Sequence, residues 1–176
     1  MIIKNFDLQK INLADFNLFL FYGENEGLKE ELISKIKSSH IGKEIKYEES
    51  QIIGNKFNFF SEIKNRSLFD EKKIYLIERC TEKISEIVTE IIENELDDLI
   101  IINCGTLEKK SKLRNLIEKS SNSVIIPTYK DNFQSLINSA KTFFSEKKIS
   151  ISYETLNLLI NRCNGDRGYL KKELEK

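Results

Sequence analysis

This chain of 176 residues is poor in the residues that most often build a site on their own. It has one histidine, His40, so a histidine-based metal centre or a His-dependent triad would have to rest on that residue alone. Its three cysteines, Cys80, Cys104 and Cys163, are odd in number, far apart and without C-x-x-C spacing, which fits a reducing compartment and no structural zinc. Neither sign of charge is in excess: 28 Lys and Arg stand against 28 Asp and Glu. There is thus no global field to draw the chain onto nucleic acid or an anionic membrane, which argues against a stand-alone DNA binder. No apolar run approaches the ~20 residues of a membrane span. The start, Met1-Ile2-Ile3-Lys4-Asn5-Phe6-Asp7, lacks the apolar core and small-residue cleavage site of a secretory signal, so the expected location is cytoplasmic. What is present is ordinary for a globular protein, with 40% hydrophobic and 32% charged residues. The length suits one domain, or one domain with a small appendage, burying about 70% of its unfolded surface.

Up to Ile126, strand-like and helix-like segments alternate. Leu18 to Tyr22 is an apolar run of buried-strand length, and Leu28, Leu32, Ile33 and Ile36 recur at helical spacing behind it. Residues 45–49 form a weak strand candidate; Phe57, Phe59, Phe60 and Ile63 predict a short helix ending near Asn65. Residues 73–78 and 99–102 are further strands, with Asp98 leading into the second. Ile84, Ile87, Val88, Ile91 and Ile92 form a helical stripe started by Thr81 and Glu82; Leu113, Leu116 and Ile117 mark another helix, and residues 124–126 close the series. Short apolar strands between amphipathic helices imply a largely parallel sheet covered on both faces. The only proline, Pro127, stands where the alternation stops. Beyond it the pattern is helical: one helix through Phe133, Leu136, Ile137, Ala140, Phe143 and Phe144, a second capped by Ser152, and a third opening at Gly165-Asp166. The third pattern is still running at Lys176, as in a fragment or a truncated product.

The turn between the first strand and helix, Gly23-Glu24-Asn25-Glu26-Gly27, stands where a P-loop holds phosphates. A working loop reads G-x-x-x-x-G-K-[ST]. Here three residues separate the glycines, Lys29 comes one place late, Glu30 follows it, and Glu24 and Glu26 would repel a triphosphate. The alternative is an ordinary tight strand-to-helix turn. Two other parts of an ATP site are similarly altered. The strand ending Glu78-Arg79 offers one acid where a Walker B strand places two, and a plain core strand with a charged end explains it as well. Asn103 ends the next strand at a phosphate-sensor place or as a simple terminus. In Gly165-Asp166-Arg167-Gly168, the arginine stands one place before the position of a lid sensor, about 100° away round a helix.

Two further stretches are candidates for contacts. Leu68 and Phe69 are adjacent apolar residues between a polar helix end and the charged run Asp70-Glu71-Lys72-Lys73. Neighbours of this kind cannot both face one core from a strand, so they either anchor in a partner's pocket or tuck under the sheet edge. Lys109, Lys110, Lys112, Arg114 and Lys119 gather positive charge around one helix, as a nucleic-acid contact or a solvated face.

Taken together these residues resemble the delta subunit of the bacterial DNA polymerase III clamp loader. The resemblance rests on residues 18–28, on Ser67-Leu68-Phe69 ahead of a strand, and on residues 105–114. It also rests on Asn164-Gly165-Asp166 followed by Leu170 and Glu173-Leu174-Glu175-Lys176. It implies an α/β chain: a RecA-like AAA+ parallel sheet with flanking helices over residues 1–129, without a working P-loop, then a partial helical lid over 130–176, the C-terminal collar being absent. The implied role is non-catalytic, with no catalytic residue, cofactor or metal. It is that of an accessory subunit of a DNA-directed DNA polymerase that binds the beta sliding clamp and helps to open it. Ser67, Leu68 and Phe69 are the implied clamp contact, and Gly23, Glu24, Asn25, Glu26 and Gly27 the degenerate phosphate loop. The family joins other clamp-loader subunits through the collar; DNA contact would be indirect or weak, and no membrane partner is implied. The competing readings are an AAA+ nucleoside triphosphatase with a divergent phosphate loop and a small α/β interaction module unrelated to replication.

Overall fold

The computed structural model describes residues 1–3, 8, 10–64, 71–94 and 96–176. Its elements run β1 (Leu18–Tyr22), α1 (Glu26–Ser38), β2 (Lys43–Glu48), α2 (Glu49–Gly54), α3 (Lys56–Lys64), β3 (Lys73–Cys80), α4 (Ser85–Glu93), β4 (Leu99–Cys104), α5 (Lys112–Lys119), β5 (Ser123–Pro127), α6 (Phe133–Glu146), α7 (Tyr153–Arg162) and α8 (Arg167–Leu174). They form two compact units. One comprises Met1–Gly23 with Leu32–Pro127, the other Glu24–Glu31 with Thr128–Lys176.

The first unit is built on a five-stranded sheet in the order β2-β3-β4-β1-β5, with every pairing parallel. Strands of such a sheet are covered on both faces, which is why β1 and β5 are buried at every residue and read as unbroken apolar runs. Along β1, Leu18, Leu20 and Tyr22 join Tyr75, Ile77, Ile100, Ile102 and Ile125 in one core, roofed by Phe59, Phe60 and Ile63 of α3, Ile87, Val88 and Ile91 of α4, and Leu113 and Ile117 of α5. The intervening Phe19 and Phe21 are fully buried on the other side. Phe19 there meets the ring of His40 edge-on, centroids 6.3 Å apart. His40 Nδ1 lies 2.9 Å from the Ile36 carbonyl and Nε2 3.3 Å from that of Phe16, so the single histidine is fastened to the main chain behind α1.

Local signals account for most element ends. Asn12 and Thr81 start 3-10 turns, Ser111 caps α5, and Ser152 caps α7. Asp98 Oδ1 accepts the Lys73 N–H at 2.8 Å and so ties the starts of β3 and β4 together. Helix α2 was not anticipated: residues 45–49 read as a strand, but the strand stops at Glu48. The Glu48 and Gln51 side chains then form a capping box that turns the chain into a helix.

The second unit has its own small core. Leu136, Ile137 and Ala140 of α6 pack with Leu156 and Ile160 of α7, Cys163, and Leu170 of α8. Asn132 caps α6 in a capping box with Ser135, and Asp166 caps α8 by accepting the Tyr169 N–H at 2.7 Å. Helix α8 ends at Leu174 with Glu175 as its cap; the sequence pattern had it running on at Lys176. Among the described residues no helix is long and apolar enough to cross a membrane.

Candidate functional site

The turn after β1 begins in the sheet unit. Gly23 has φ 133°, a backbone region that side chains make costly, and it donates to the Gly105 carbonyl at 2.9 Å. The rest of the turn and the first residues of α1 count with the helical unit, and within it the groups of a phosphate site are turned inward. Asn25 precedes the helix, and its Oδ1 accepts the Leu28 N–H at 3.0 Å. That N–H is one of the orphan donors a phosphate loop would present to its ligand. Asn25 Nδ2 donates to the Tyr129 carbonyl at 3.0 Å and to Asp131 Oδ2 at 2.7 Å. Lys29 is 1% exposed and its Nζ meets Glu26 Oε1 at 2.7 Å. Glu24 pairs with Lys130, also at 2.7 Å. Both loop acids therefore face lysines of the same unit.

Helix α8 closes this arrangement. A Cβ added to Gly27 would lie 2.4 Å from the Gly168 nitrogen and 2.9 Å from its Cα, so the first turn of α8 rests on the loop backbone to backbone. Arg167 holds it there with a two-pronged pair to Asp131, Nε to Oδ2 at 2.7 Å and Nη2 to Oδ1 at 2.8 Å, and with Nη1 to Glu31 at 2.9 Å. Burial pushes the Asp131 carboxyl up, but hydrogen bonds from Arg167, Ser135 and Asn25 outweigh it and hold the group below its ordinary value of 3.8. Gly27→Ala is expected to push α8 off the loop. Overpacking of this sort costs about 1–3 kcal/mol, to be read as faster amide exchange in α6 to α8 with the sheet amides unchanged.

Sequence reading placed Arg167 one position away from a lid sensor, and the structure gives that arginine a different task. Asp131, Glu31 and Ser135 were not singled out, because a pair separated by 36 residues leaves no local signature.

At the carboxyl ends of β3 and β4, Glu78 is half-buried and in register with Glu48 of β2. Arg79 takes a left-handed φ of 56° and places Nη1 3.0 Å from Glu48 Oε1, so a cation stands where a second Walker B acid would be. The register slips between Ile77 and Cys80, which brings Cys80 opposite Cys104. The buried Glu49 carboxylate, absent from the sequence reading, accepts the Thr81 N–H at 2.8 Å and the Thr81 hydroxyl, pinning the start of α2 to the end of β3. Asn103 is half-buried in β4, in register with Phe21.

Ser67, Leu68 and Phe69 lie outside the described residues. The chain on either side of them is α3, ending at Lys64, and β3, beginning at Lys73. The basic cluster is not one surface. Arg114 pairs with Glu118 at 2.9 Å and lies 5.4 Å over the Tyr22 ring. Lys119 lines a recess with Asn17, Asp97 and Asp98 at the leading ends of β1 and β4. Lys110 and Lys112 line another, at the carboxyl ends of β3 and β4.

No protein-family model matches the chain, and no curated protein does. Solved structures match in fold. The Bacillus subtilis DNA clamp loader delta protein (YqeN) superposes with a TM-score of 0.62 at 14% identity, over 97% of this chain and 56% of that one. Domain III of the Thermotoga maritima replication initiation protein DnaA gives 0.50 at 17% identity, over 93% of this chain and 75% of that one. The chain thus spans little more than half the length of the first relative. Its five-stranded parallel sheet with flanking helices is a fold it shares with the clamp loader delta protein and with domain III of DnaA.

Proposed function

We propose that this chain is a non-catalytic clamp-loader subunit that binds the beta sliding clamp of the replicative polymerase and favours its open form. The observation that carries this reading is the agreement in fold with a clamp loader delta protein along 97% of the chain. The internally engaged loop supports the non-catalytic half: Asn25 caps the helix start, Lys29 is paired with Glu26, and Arg167 is spent on Asp131 and Glu31. The clamp half rests on Leu68 and Phe69, a hydrophobic pair just ahead of β3. Clamp opening follows from differential affinity, since a wedge that fits the open ring better shifts the equilibrium toward it.

The test is surface plasmon resonance of the chain against the cognate beta clamp, with calorimetric titration of Mg-ATP in parallel. Saturable clamp binding and no heat of nucleotide binding are expected. Absence of clamp binding sinks the proposal. Nucleotide heat that disappears in Lys29→Ala would move the assignment to a triphosphatase with a divergent loop.

A further inference from the structure

A slip in the sheet brings two thiols together. In regular pleating Tyr75, Ile77 and Arg79 would share one face of β3 and Cys80 would turn to the other. Instead the register against β4 shifts between Ile77 and Cys80, and Arg79 takes its left-handed φ of 56° at that place. The irregularity re-aims the side chain that follows it. Cys80 thereby joins Tyr75 and Ile77 in the core that Ile100, Ile102 and Cys104 of β4 also line, and it stands directly opposite Cys104. Neighbouring strands run about 4.8 Å apart, within the Cα separation of roughly 4.4–6.8 Å that a disulfide spans. The two sulfurs are hydrogen-bonded neighbours, and Cys80 Sγ also donates to the Ile77 carbonyl at 3.4 Å. The Cys104 sulfur, and then burial, push the Cys80 thiol up. Thiolate is therefore scarce at neutral pH, and the pair stays reduced until oxidant is plentiful. Both residues are buried, but Cys80 lines the recess at the carboxyl ends of β3 and β4, which gives a small oxidant a path to its sulfur. Cys163, the third thiol, belongs to the core of the helical unit.

We infer that Cys80 and Cys104 are a reversible oxidation site, forming a disulfide across β3 and β4 when the chain meets a hydroperoxide. One sulfur, as thiolate, attacks the peroxide; the O–O bond breaks, leaving a sulfenic acid on that cysteine and releasing hydroxide. The second sulfur then attacks the sulfenic sulfur, the S–S bond forms, and the S–O bond breaks. With hydrogen peroxide the balance is two thiols and one peroxide to one disulfide and two waters. The thiols lose two electrons and the peroxide gains them. A dithiol reductant reverses the step by exchange. The bridge ties together the two strand ends beside the Thr81–Glu49 hydrogen bonds that hold the start of α2. It also closes a loop that contains all of α4. Transient pairs of this kind are compatible with a reducing compartment, where permanent disulfides are rare.

The experiment exposes the whole folded chain to excess hydrogen peroxide without denaturant, quenches it, and counts thiols and maps peptides by mass spectrometry. Two of the three thiols should disappear, the mass should fall by two hydrogens, and one cross-linked peptide should contain Cys80 and Cys104. Dithiothreitol should restore both thiols. The bridged chain should keep its circular dichroism and unfold about 5–10 °C higher, as a closed loop of this length predicts. Cys163→Ser should behave as the parent does, and Cys80→Ser should form no intramolecular bridge. The peptide map of the parent decides the matter even where that second variant folds poorly. Retention of all three thiols, a bridge through Cys163, or oxygen added to Cys80 or Cys104 in place of a cross-link would overturn the inference. So would an unfolding temperature unchanged or lowered by the bridge. Clamp affinity does not enter this test, so its outcome and that of the proposed function are separable.

Discussion

Leu68→Ala combined with Phe69→Ala should reduce affinity for the beta clamp by about 30-fold to 700-fold, with the circular dichroism spectrum and thermal transition unchanged. The magnitude follows from the chemistry of a two-residue apolar plug. Withdrawing a leucine and a phenylalanine into a partner's pocket is worth a hot-spot contribution of ~2–4 kcal/mol, and each 1.4 kcal/mol is about tenfold in the dissociation constant. The loss should appear mainly as faster dissociation, because no long-range charge steers the encounter of a chain with equal numbers of acids and bases. Ser67→Ala should cost far less, since a hydroxyl adds little to apolar burial. Surface plasmon resonance on the three variants resolves this. Clamp binding that survives in the double variant would remove these residues from the interface, and a collapsed spectrum would make them core residues.

The second large effect is expected at Arg167. Its guanidinium and the Asp131 carboxylate are nearly buried, with side chains 9% and 4% exposed, and they share two short hydrogen bonds. Arg167→Ala leaves Asp131 with Asn25 and Ser135 but without its counter-charge, and removing one partner of a buried pair costs about 3–5 kcal/mol. Glu31 contributes less, being half exposed. Amide exchange in α6 to α8 should accelerate by roughly two to three and a half powers of ten, because the hydrophobic cluster that joins these helices is small. Replacing both partners together, Arg167→Leu with Asp131→Leu, should cost less than either single change, since no unpaired charge is left behind. Amide exchange no faster in Arg167→Ala than in the parent would show that α8 is held by packing alone.

The same pair sets a dependence on acid. Asp131 titrates below 3.8 in the folded chain, so the folded state binds its proton less readily than the unfolded state does. Its contribution is complete above the unfolded value and is lost as pH falls through the lowered one. Helical-unit stability should therefore fall on acidification below about pH 4, and Asp131→Asn should remove that part of the dependence. Hydrogen exchange of the α6 amides, followed from neutral pH into acid, provides the measurement.

How much of this was legible beforehand differs between elements for physical reasons. Strands β1, β3, β4 and β5 were readable because burial on both faces leaves a run that admits almost nothing but apolar side chains. Helix α2 was not. It is six residues long, with Ile52 as its only buried apolar residue, and its start depends on a side-chain box that competes with continuation of β2. The altered spacing of the loop from Gly23 to Gly27 was plain in the order of residues. Where Lys29, Asn25 and Arg167 send their polar atoms was not, because their partners lie between three and 136 residues away.

The chain's own order of residues determined that a buried parallel sheet would form, that a helical unit would follow Pro127, and that the loop after β1 would lack the spacing of a phosphate site. These are consequences of periodicity and of glycine placement, which act over a few residues. Tertiary structure alone decided that Gly27 would receive the backbone of Gly168, that Asp131 would capture Arg167, and that Lys110 and Lys112 would share a recess with Lys83 while Arg114 did not. Such outcomes depend on which distant groups folding brings within hydrogen-bond or van der Waals reach, and no local pattern encodes that distance.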